Sequence, residues 1–236
     1  MINQLEAVAQ SYDRGIELGR NGIGSDPYGE GLPEYIKNDP DYAAFQNARA
    51  EGLDSDSGSI EIREYLAPAS NLNFVDLGCC LNLMFNGYDK WPSTYHGVDI
   101  SSETIKLLNE FSAKSNLNVG SLYCGSIHET PFEDQYFDIG ACIGVLEYFE
   151  RDFVAKALAE AYRIMKPGGR FVLDIPDNGG RMRRFMNLVE MSMGRPDQFD
   201  LSPQEFDQLL SGLFVVEKTV AKDSVAMIQY FLRRAV

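Results

Sequence analysis

The sequence predicts an α/β fold built on a doubly wound, mostly parallel sheet. Between residues 72 and 175, short apolar runs alternate with amphipathic segments, which is typical of parallel strands joined by right-handed helical crossovers. The first run, residues 74–77, is followed by Gly78, and the second, residues 95–98, is followed by Asp99. At about this spacing after a strand-ending glycine, an acidic residue accepts hydrogen bonds from ribose hydroxyls in nucleotide-binding βαβ units.

Length and composition limit the classes of function. The chain has 236 residues, of which 44% are hydrophobic, enough for one domain with additions. Its net charge of −14 repels phosphate backbones, so we expect no nucleic-acid partner. No secretory signal or long apolar run is visible, and the four cysteines form no C-x-x-C pair or regular framework. We therefore expect a cytoplasmic, reduced protein with no membrane partner and no metal site.

An N-terminal helical extension is expected before the first strand. Helical spacing of apolar residues, Gly- and Pro-rich stretches and a final proline define its segments. These segments are a helix over residues 1–20, a loop with one short turn over 21–40, a helix over 41–51 and a helix from Ser57 that Pro68 stops. Residues 1–68 are thus predicted as the extension and residues 69–236 as the main domain.

The main domain continues the alternation of helices and strands. Its predicted elements after Asp99 are a helix over residues 101–114, strands over 118–124 and 136–143, a helix over 151–165 and a strand over 170–175. Residues 166–169, Lys-Pro-Gly-Gly, are expected to stop the second of these helices.

Residues 176–211 are predicted as a helical insertion before a terminal hairpin. The predicted elements are helices over 181–193 and from Ser202 onward, then strands over 213–220 and 224–232 around a turn at Lys222 and Asp223. The methionines of the first helix could form an adaptable substrate lid, although core packing is the preferred interpretation.

The segment after the first strand is not a dinucleotide fingerprint. The pattern G-x-G-x-x-G would require glycine where the chain has Cys80 and Leu83. The segment instead resembles the first two motifs of class I S-adenosylmethionine-dependent methyltransferases, whose first strand usually ends D-x-G-x-G-x-G and whose second strand ends in an acidic residue. Asp76, Gly78 and Asp99 match these motifs, whereas Cys80 and Asn82 replace the second and third glycines.

Two later stretches strengthen the resemblance. Residues 131–138 are similar to the family's P-F-x-D-x-x-F-D motif, and residues 161–172 are similar to its L-x-R-V-L-K-P-G-G-x-L-x motif. Between them the family commonly has V-L-E-H, where this chain has Glu147 followed by Tyr148. The resemblance implies a Rossmann-like, seven-stranded, mostly parallel sheet with an antiparallel C-terminal hairpin.

The resemblance also implies S-adenosylmethionine (SAM) as cofactor. Asp99 would bind the ribose, the Gly78 turn would approach the methionine part, and Asp76 would orient the loop or meet the ammonium group. Ser126 stands where the family has an aspartate for the adenine amino group. Tyr12 would lie over the cofactor, or else pack its helix against the sheet. The predicted cofactor residues are Tyr12, Asp76, Gly78, Cys79, Asp99, Ile100, Ser126, Ile127, Ile143 and Gly144.

The expected function is methyl transfer to a small-molecule acceptor. If the acceptor needs a general base, the candidates are Glu147, Tyr148 and His128. Glu147 could instead form a local salt bridge, and His128 could lie beside the cofactor. A homodimer is possible. The altered glycine loop keeps a second hypothesis open, a non-catalytic protein of this fold that acts as a binding or partner subunit, and a nicotinamide-dependent oxidoreductase is a third.

Overall fold

The computed structural model describes residues 4–21, 28–54, 57–222 and 225–236, and only the backbone of residues 51–54 and 57–59. The first three residues of the predicted N-terminal helix, residues 22–27 of the predicted loop and Asp223 of the predicted hairpin turn lie outside the described residues. Within the described residues, no helix is long and apolar enough to cross a membrane.

Strands and helices alternate through the middle of the chain. The strands are β1 (Asn73–Leu77), β2 (Thr94–Asp99), β3 (Val119–Cys124), β4 (Phe137–Cys142), β5 (Met165–Pro176), β6 (Phe214–Lys222) and β7 (Met227–Arg234). The helices are α1 (Gln4–Arg20), α2 (Glu34–Lys37), α3 (Tyr42–Asp54), α4 (Ser57–Leu66), α5 (Asn82–Phe85), α6 (Ser102–Ser115), α7 (Arg151–Ile164), α8 (Arg183–Ser192) and α9 (Pro203–Leu210). Single turns of 3-10 helix occur at Tyr88–Lys90 and Leu146–Tyr148.

The strands form one seven-stranded sheet in the order β3-β2-β1-β4-β5-β7-β6. Neighbouring strands among β1 to β5 are parallel, whereas β7 runs antiparallel to both β5 and β6. The predicted fold class is confirmed. Because the parallel strands share one direction, their carboxyl ends meet at one edge of the sheet, and chain order reverses there between β1 and β4.

Both faces of the sheet are covered. Along β1, Phe74 packs into a cluster with Leu66, Tyr88 and Trp91, whereas Val75 packs into a cluster with residues of α1, α7 and α9. Successive strand side chains point to opposite faces, so a run of apolar residues serves both layers. This explains why β1 has apolar residues on both faces, with Asp76 as a buried polar residue among them.

The fifth strand begins earlier than predicted. Residues 166–169 were expected to form only a helix stop, but α7 ends at Ile164 and β5 already begins at Met165. The strand is irregular there, because its pairing with β4 shifts register between Phe137 and Ile139, and Gly168 has a φ of +75°. The Lys-Pro-Gly-Gly stretch is therefore a bulged strand start.

A third apolar cluster joins the N-terminal extension to α8. Leu32, Ile36 and Phe45 pack against Met182, Phe185 and Val189. Met182 is therefore a core residue, as the preferred interpretation of the methionines predicted, whereas Met186 and Met193 are only partly buried against this cluster and Met191 is exposed. The next helix, α9, begins with a reciprocal capping box between Ser202 and Glu205.

Candidate functional site

A cavity of about 1140 Å³ lies at the carboxyl ends of the parallel strands. Loops after β1, β2, β3 and β4 form its floor, and α1, α8 and the segment after α8 cover it. Of the predicted cofactor residues, those in its wall are Tyr12, Gly78, Asp99, Ile100, Ser126, Ile127, Ile143 and Gly144. Of the predicted catalytic residues, Glu147 and Tyr148 are also in the wall.

Gly78 makes the sharp turn out of β1. Its φ is +75°, and its amide donates to the carbonyl of Val98 on β2 at 2.8 Å. A Cβ at this position would lie only 2.3 Å from Cγ2 of Val145 in the loop after β4. The turn therefore requires glycine both for its backbone angle and for the close approach of the two loops.

Cys80 and Asp99 join the ends of β1 and β2. The amide of Cys80 donates to Oδ2 of Asp99 at 2.8 Å, and the amide of Ser101 donates to Oδ1 at 2.8 Å. Cys80 adopts a φ of +39°, so this position has the left-handed conformation that glycine favours. Burial raises the pKa of Asp99 to about 6. The carboxylate is thus held at the cavity wall with lone pairs still free for a ligand.

Asp76 lies beneath the loop and does not line the cavity. It is fully buried, accepts from the hydroxyl of Tyr95 at 2.9 Å, and accepts from the amide nitrogen of Asn82 at 3.2 Å. Burial raises its pKa to about 7. Of the two predicted roles for Asp76, the contacts favour orientation of the loop. They also give Asn82, which replaces a family glycine, a partner within the loop.

Two other predicted residues lie outside the wall. The side chain of Cys79 is fully buried in the core, where a Cβ at Gly97 would meet its sulfur at 2.9 Å. His128 lies beside the cavity, because its Nδ1 is 2.5 Å from the hydroxyl of Ser126 and its ring centroid is 5.0 Å from that of Phe153. His128 thus contacts a predicted cofactor residue, in keeping with its alternative role beside the cofactor.

Glu147 and Asp174 lie on the side of the cavity toward β5. Asp174 accepts from the amide of Gly144 at 2.8 Å. Glu147 is only 8% exposed, and its Oε2 has no hydrogen-bond partner among the described residues. Burial raises the pKa of Asp174 to about 7, and burial together with Asp174 raises the pKa of Glu147 well above its usual range.

Sequence reasoning missed a buried ion pair above the cavity. Nε of Arg195 donates to Glu190 at 2.5 Å, and its Nη2 donates to the hydroxyl of Tyr28 at 2.6 Å. The guanidinium lies 4.3 Å from the ring centroid of Tyr12, and the hydroxyl of Tyr148 donates to Glu190 at 3.1 Å. The network links α1, residues 28–33 before α2 (the Tyr28 segment), the loop after β4 and α8. Tyr12 therefore both lines the cavity and packs its helix.

Hydrogen bonds of Asp13 and Ser11 are among those that fasten α1 across the cavity. Oδ1 of Asp13 accepts from the hydroxyl of Ser101 at 2.6 Å and from the amide of Glu103 at 3.1 Å, at the N-terminus of α6. At the other side, the hydroxyl of Ser11 donates to the carbonyl of Met193 at 2.8 Å. The helix therefore bridges the cofactor-side loops and the segment after α8.

Residues 75–173, which contain this floor, match the family model described as a methyltransferase domain. This part of the chain is similar to methyltransferase domains. The resemblance to class I methyltransferases inferred from the motifs is thereby confirmed. An uncharacterized methyltransferase of Bacillus subtilis (strain 168) is 31% identical over 77 residues, which are 33% of this chain and 30% of that protein. The chain spans 22% to 38% of the length of the curated relatives it matches.

The fold of the whole chain is also found in solved structures. Geranyl diphosphate C-methyltransferase from Streptomyces coelicolor A3(2), in complex with Mg²⁺, geranyl diphosphate and S-adenosyl-L-homocysteine, superimposes with a TM-score of 0.69 at 14% identity, with 98% of each chain covered. Magnesium protoporphyrin IX methyltransferase from Synechocystis PCC 6803, with bound S-adenosyl-L-homocysteine (SAH), gives a TM-score of 0.66 at 12% identity, covering 99% of this chain and 100% of that one. At these identities the likeness concerns the fold.

Proposed function

We propose that the protein is a SAM-dependent methyltransferase that acts on a small-molecule acceptor. The observation that carries the proposal is the junction of Gly78, Cys80 and Asp99 in the cavity wall of a domain similar to methyltransferase domains. Despite its altered glycines, the loop after β1 keeps a left-handed turn at Gly78 and at Cys80, and Cys80 bonds to Asp99. The sequence change that cast doubt on the cofactor site has therefore not removed the turn.

The residues present fit SAM. Both oxygens of Asp99 already accept a backbone amide, and each keeps a lone pair for a ribose hydroxyl. Ser126 and Ile127, after β3, would hold the adenine end, and Gly78 and Gly144 would line the amino-acid end. When bound, SAM would supply an electrophilic methyl group on a sulfonium centre. Two similar folds are known with SAH bound, which supports this choice of cofactor.

The chain's own residues would bind, orient and exclude water. The side of the cavity that α1 and the Arg195 network cover would exclude water from the reacting groups, which would strengthen electrostatic interactions there. Burial raises the pKa of the Tyr148 hydroxyl well above its usual range, so Tyr148 stays protonated and serves as a hydrogen-bond donor. Glu147 is then the remaining candidate in the wall for accepting a proton. Because its own pKa is raised, it would do so only while the positive charge of a bound acceptor keeps the carboxyl group ionised.

The test is isothermal titration of the full chain with SAM and SAH, with NADH as the control ligand. We expect the adenosyl ligands to bind and NADH not to bind. Asp99→Asn should weaken SAM binding by about 1–3 kcal/mol, because a charge-assisted hydrogen bond to the ribose is lost. Asp152→Asn, at an exposed position in the first turn of α7, is the matched control and should bind SAM as the wild type does.

The alternatives predict different results. If neither SAM nor SAH binds the folded protein, the methyltransferase proposal is wrong and the partner-subunit hypothesis takes its place. If NADH binds and the adenosyl ligands do not, the oxidoreductase hypothesis is favoured. If Asp99→Asn folds and binds SAM normally, Asp99 is not a ribose ligand.

A further inference from the structure

We propose that the space between Gly144, Glu147 and Asp174 is a subsite for the protonated nitrogen of an amphipathic amine, and that this amine is the methyl acceptor after it has passed one proton to Glu147. The freed lone pair would then form the N–CH3 bond as the S–CH3 bond of SAM breaks, which leaves SAH. The assignment of the amine as acceptor rests on the proposed function. The subsite itself rests on the buried carboxylates, the open space beside Gly144 and the apolar wall around them.

The two carboxylates are buried without a cationic partner. Asp174 is 7% exposed and Glu147 is 8% exposed, and both line the cavity. Among the described residues, neither forms an ion pair with a lysine or arginine. Two of the arginines in the cavity wall are already matched, because Arg195 pairs with Glu190 and Arg183 pairs with Asp197. Burying a carboxyl group is unfavourable unless a partner compensates it, so the arrangement favours a ligand with positive charge.

The glycine between the carboxylates leaves room for a small group. Gly144 has a φ of +70°, and its amide is bound to Asp174. A Cβ built on Gly144 would have Glu147 Oε1 as its one neighbour, at 3.8 Å. Oε2 of Glu147 has no hydrogen-bond partner among the described residues. A donor entering above Gly144 would therefore meet Oε1 of Glu147, whereas Oε2 of the same carboxyl group lies buried behind it.

The two carboxylates lie on the other side of Gly144 from the ribose end of the proposed cofactor site, so Gly144 borders both. Asp99 ends β2 and the Gly78 turn follows β1, whereas Asp174 is on β5, and β4 lies between β1 and β5. The cavity wall nearest α8 includes Phe45, Met186, Met193 and Met227, which suit an apolar chain. This part of the cavity therefore suits a ligand with an ammonium group at one end and a hydrocarbon chain at the other.

The experiment compares three probes with the same chain length: hexylammonium, hexanoate and 1-hexanol. Each is titrated into the full chain at pH 8, and binding is followed by ligand-observed NMR. We expect hexylammonium to bind at least about tenfold more tightly than hexanoate and hexanol, since one charge-assisted hydrogen bond corresponds to tenfold or more in affinity. Equal binding of hexylammonium and hexanol, or a preference for hexanoate, would overturn the subsite.

Two variants locate the preference. Glu147→Gln and Asp174→Asn should each lower hexylammonium affinity by roughly tenfold and leave hexanol binding unchanged. Glu150→Gln makes the same change at a nearby exposed position and should have no effect. If the variants fail to fold, the preference of the wild-type protein among the three probes still decides. Unchanged hexylammonium binding in folded variants would contradict the assignment of these residues.

The titration is repeated with saturating SAH. Retained hexylammonium binding would support a separate acceptor subsite, whereas competition would mean that the carboxylates hold the amino group of the cofactor, which overturns the proposal. The two proposals can fail separately. If SAH does not bind but hexylammonium keeps its preference, the methyltransferase function fails and the cation subsite stands. If SAH binds and hexylammonium shows no preference, the cation subsite fails and the methyltransferase function stands.

Discussion

The two halves of the cavity are built in different ways. The cofactor half, formed by the loops after β1, β2 and β3, is held by contacts between residues at or just after strand ends, such as Cys80 with Asp99. The lid half, formed by α1, the Tyr28 segment, α8 and the segment after α8, is held by a buried ion pair and its neighbours. Its contact between Tyr28 and Arg195 spans 167 positions. Local sequence therefore determines the first half and long-range packing determines the second.

The largest effect is expected from breaking the ion pair of the lid half. Arg195→Ala would leave Glu190 buried at 6% exposure without its cation, which should lower the free energy of unfolding by about 3–5 kcal/mol. Urea unfolding measures the loss. Arg151→Ala is the control, because its ion pair with Glu205 is 3.9 Å long between half-exposed side chains. That change should cost less than about 1 kcal/mol.

A second variant shows whether an uncompensated charge causes the loss. Adding Glu190→Gln to Arg195→Ala removes the orphaned carboxylate, so part of the stability should return. If Arg195→Ala costs no more than Arg151→Ala, the ion pair does not hold the lid half together, and the contrast between the two halves is lost.

The cofactor half is most sensitive at Gly78. Gly78→Ala combines a φ of +75° with a Cβ 2.3 Å from Val145, whereas Gly87→Ala has a φ of +71° and no atom within 4 Å. The backbone cost of about 1–2 kcal/mol is common to both variants. Overpacking should cost Gly78→Ala about 1–3 kcal/mol more, and it should also weaken SAM binding. Thermal unfolding and titration with SAM measure the two effects.

Val145→Ala tests the cause of that difference. In the double variant with Gly78→Ala the steric clash is relieved, so stability should approach that of Gly87→Ala. Equal stability of the two single glycine variants would show that the loops after β1 and β4 do not need their close approach.

The buried carboxyl groups make stability depend on pH. The folded-state pKa values of Asp76 and Asp174 are raised to about 7, and that of Asp99 to about 6, in each case by burial. The unfolded chain releases these protons near pH 4, so the folded chain holds more protons between pH 4 and 7. The free energy of unfolding should therefore fall as the pH rises through this window.

Asp76→Asn isolates one of these contributions. Relative to the wild type, the variant should gain about 1–3 kcal/mol of unfolding free energy between pH 5 and pH 8, because it has no proton to release. Urea unfolding at both pH values gives the difference, which does not depend on any fixed loss of hydrogen bonds to Tyr95 and Asn82. A difference that stays constant with pH would mean that Asp76 is ionised throughout.

The sequence predicted the sheet and most of the cavity floor because these features have local signals. Each parallel strand is a short, mostly apolar stretch, Gly78 directly follows β1, and Asp99 ends β2. The early start of β5 was missed because the sequence Lys-Pro-Gly-Gly is typical of a helix end. Only its pairing with β4, which the sequence does not reveal, makes it part of a strand. The Arg195 network was missed because an isolated arginine, glutamate and tyrosine have no common spacing, and packing of α8 brings them together.

The smallest expected effect concerns the fastening of α1 to the cofactor half. Asp13 accepts two hydrogen bonds at the N-terminus of α6, where a negative charge is also favoured by the helix dipole. Asp13→Ala should cost about 1–2 kcal/mol, the usual cost of losing a cap. Because these hydrogen bonds join α1 to the cofactor half, the loss of stability should be confined to α1. Hydrogen exchange should accelerate for the amides of α1 while those of β1 and β4 keep their protection.

Asp152→Ala is the matched control, since it removes an exposed aspartate from the first turn of α7 and leaves α1 untouched. It should not change exchange in α1. If Asp13→Ala also accelerates exchange in β1 and β4, the two halves unfold together and their separation is only geometric. If α1 alone exchanges faster, the cofactor half stays folded when α1 opens. This is the result expected of a site whose floor is determined by local sequence and whose cover is determined by long-range packing.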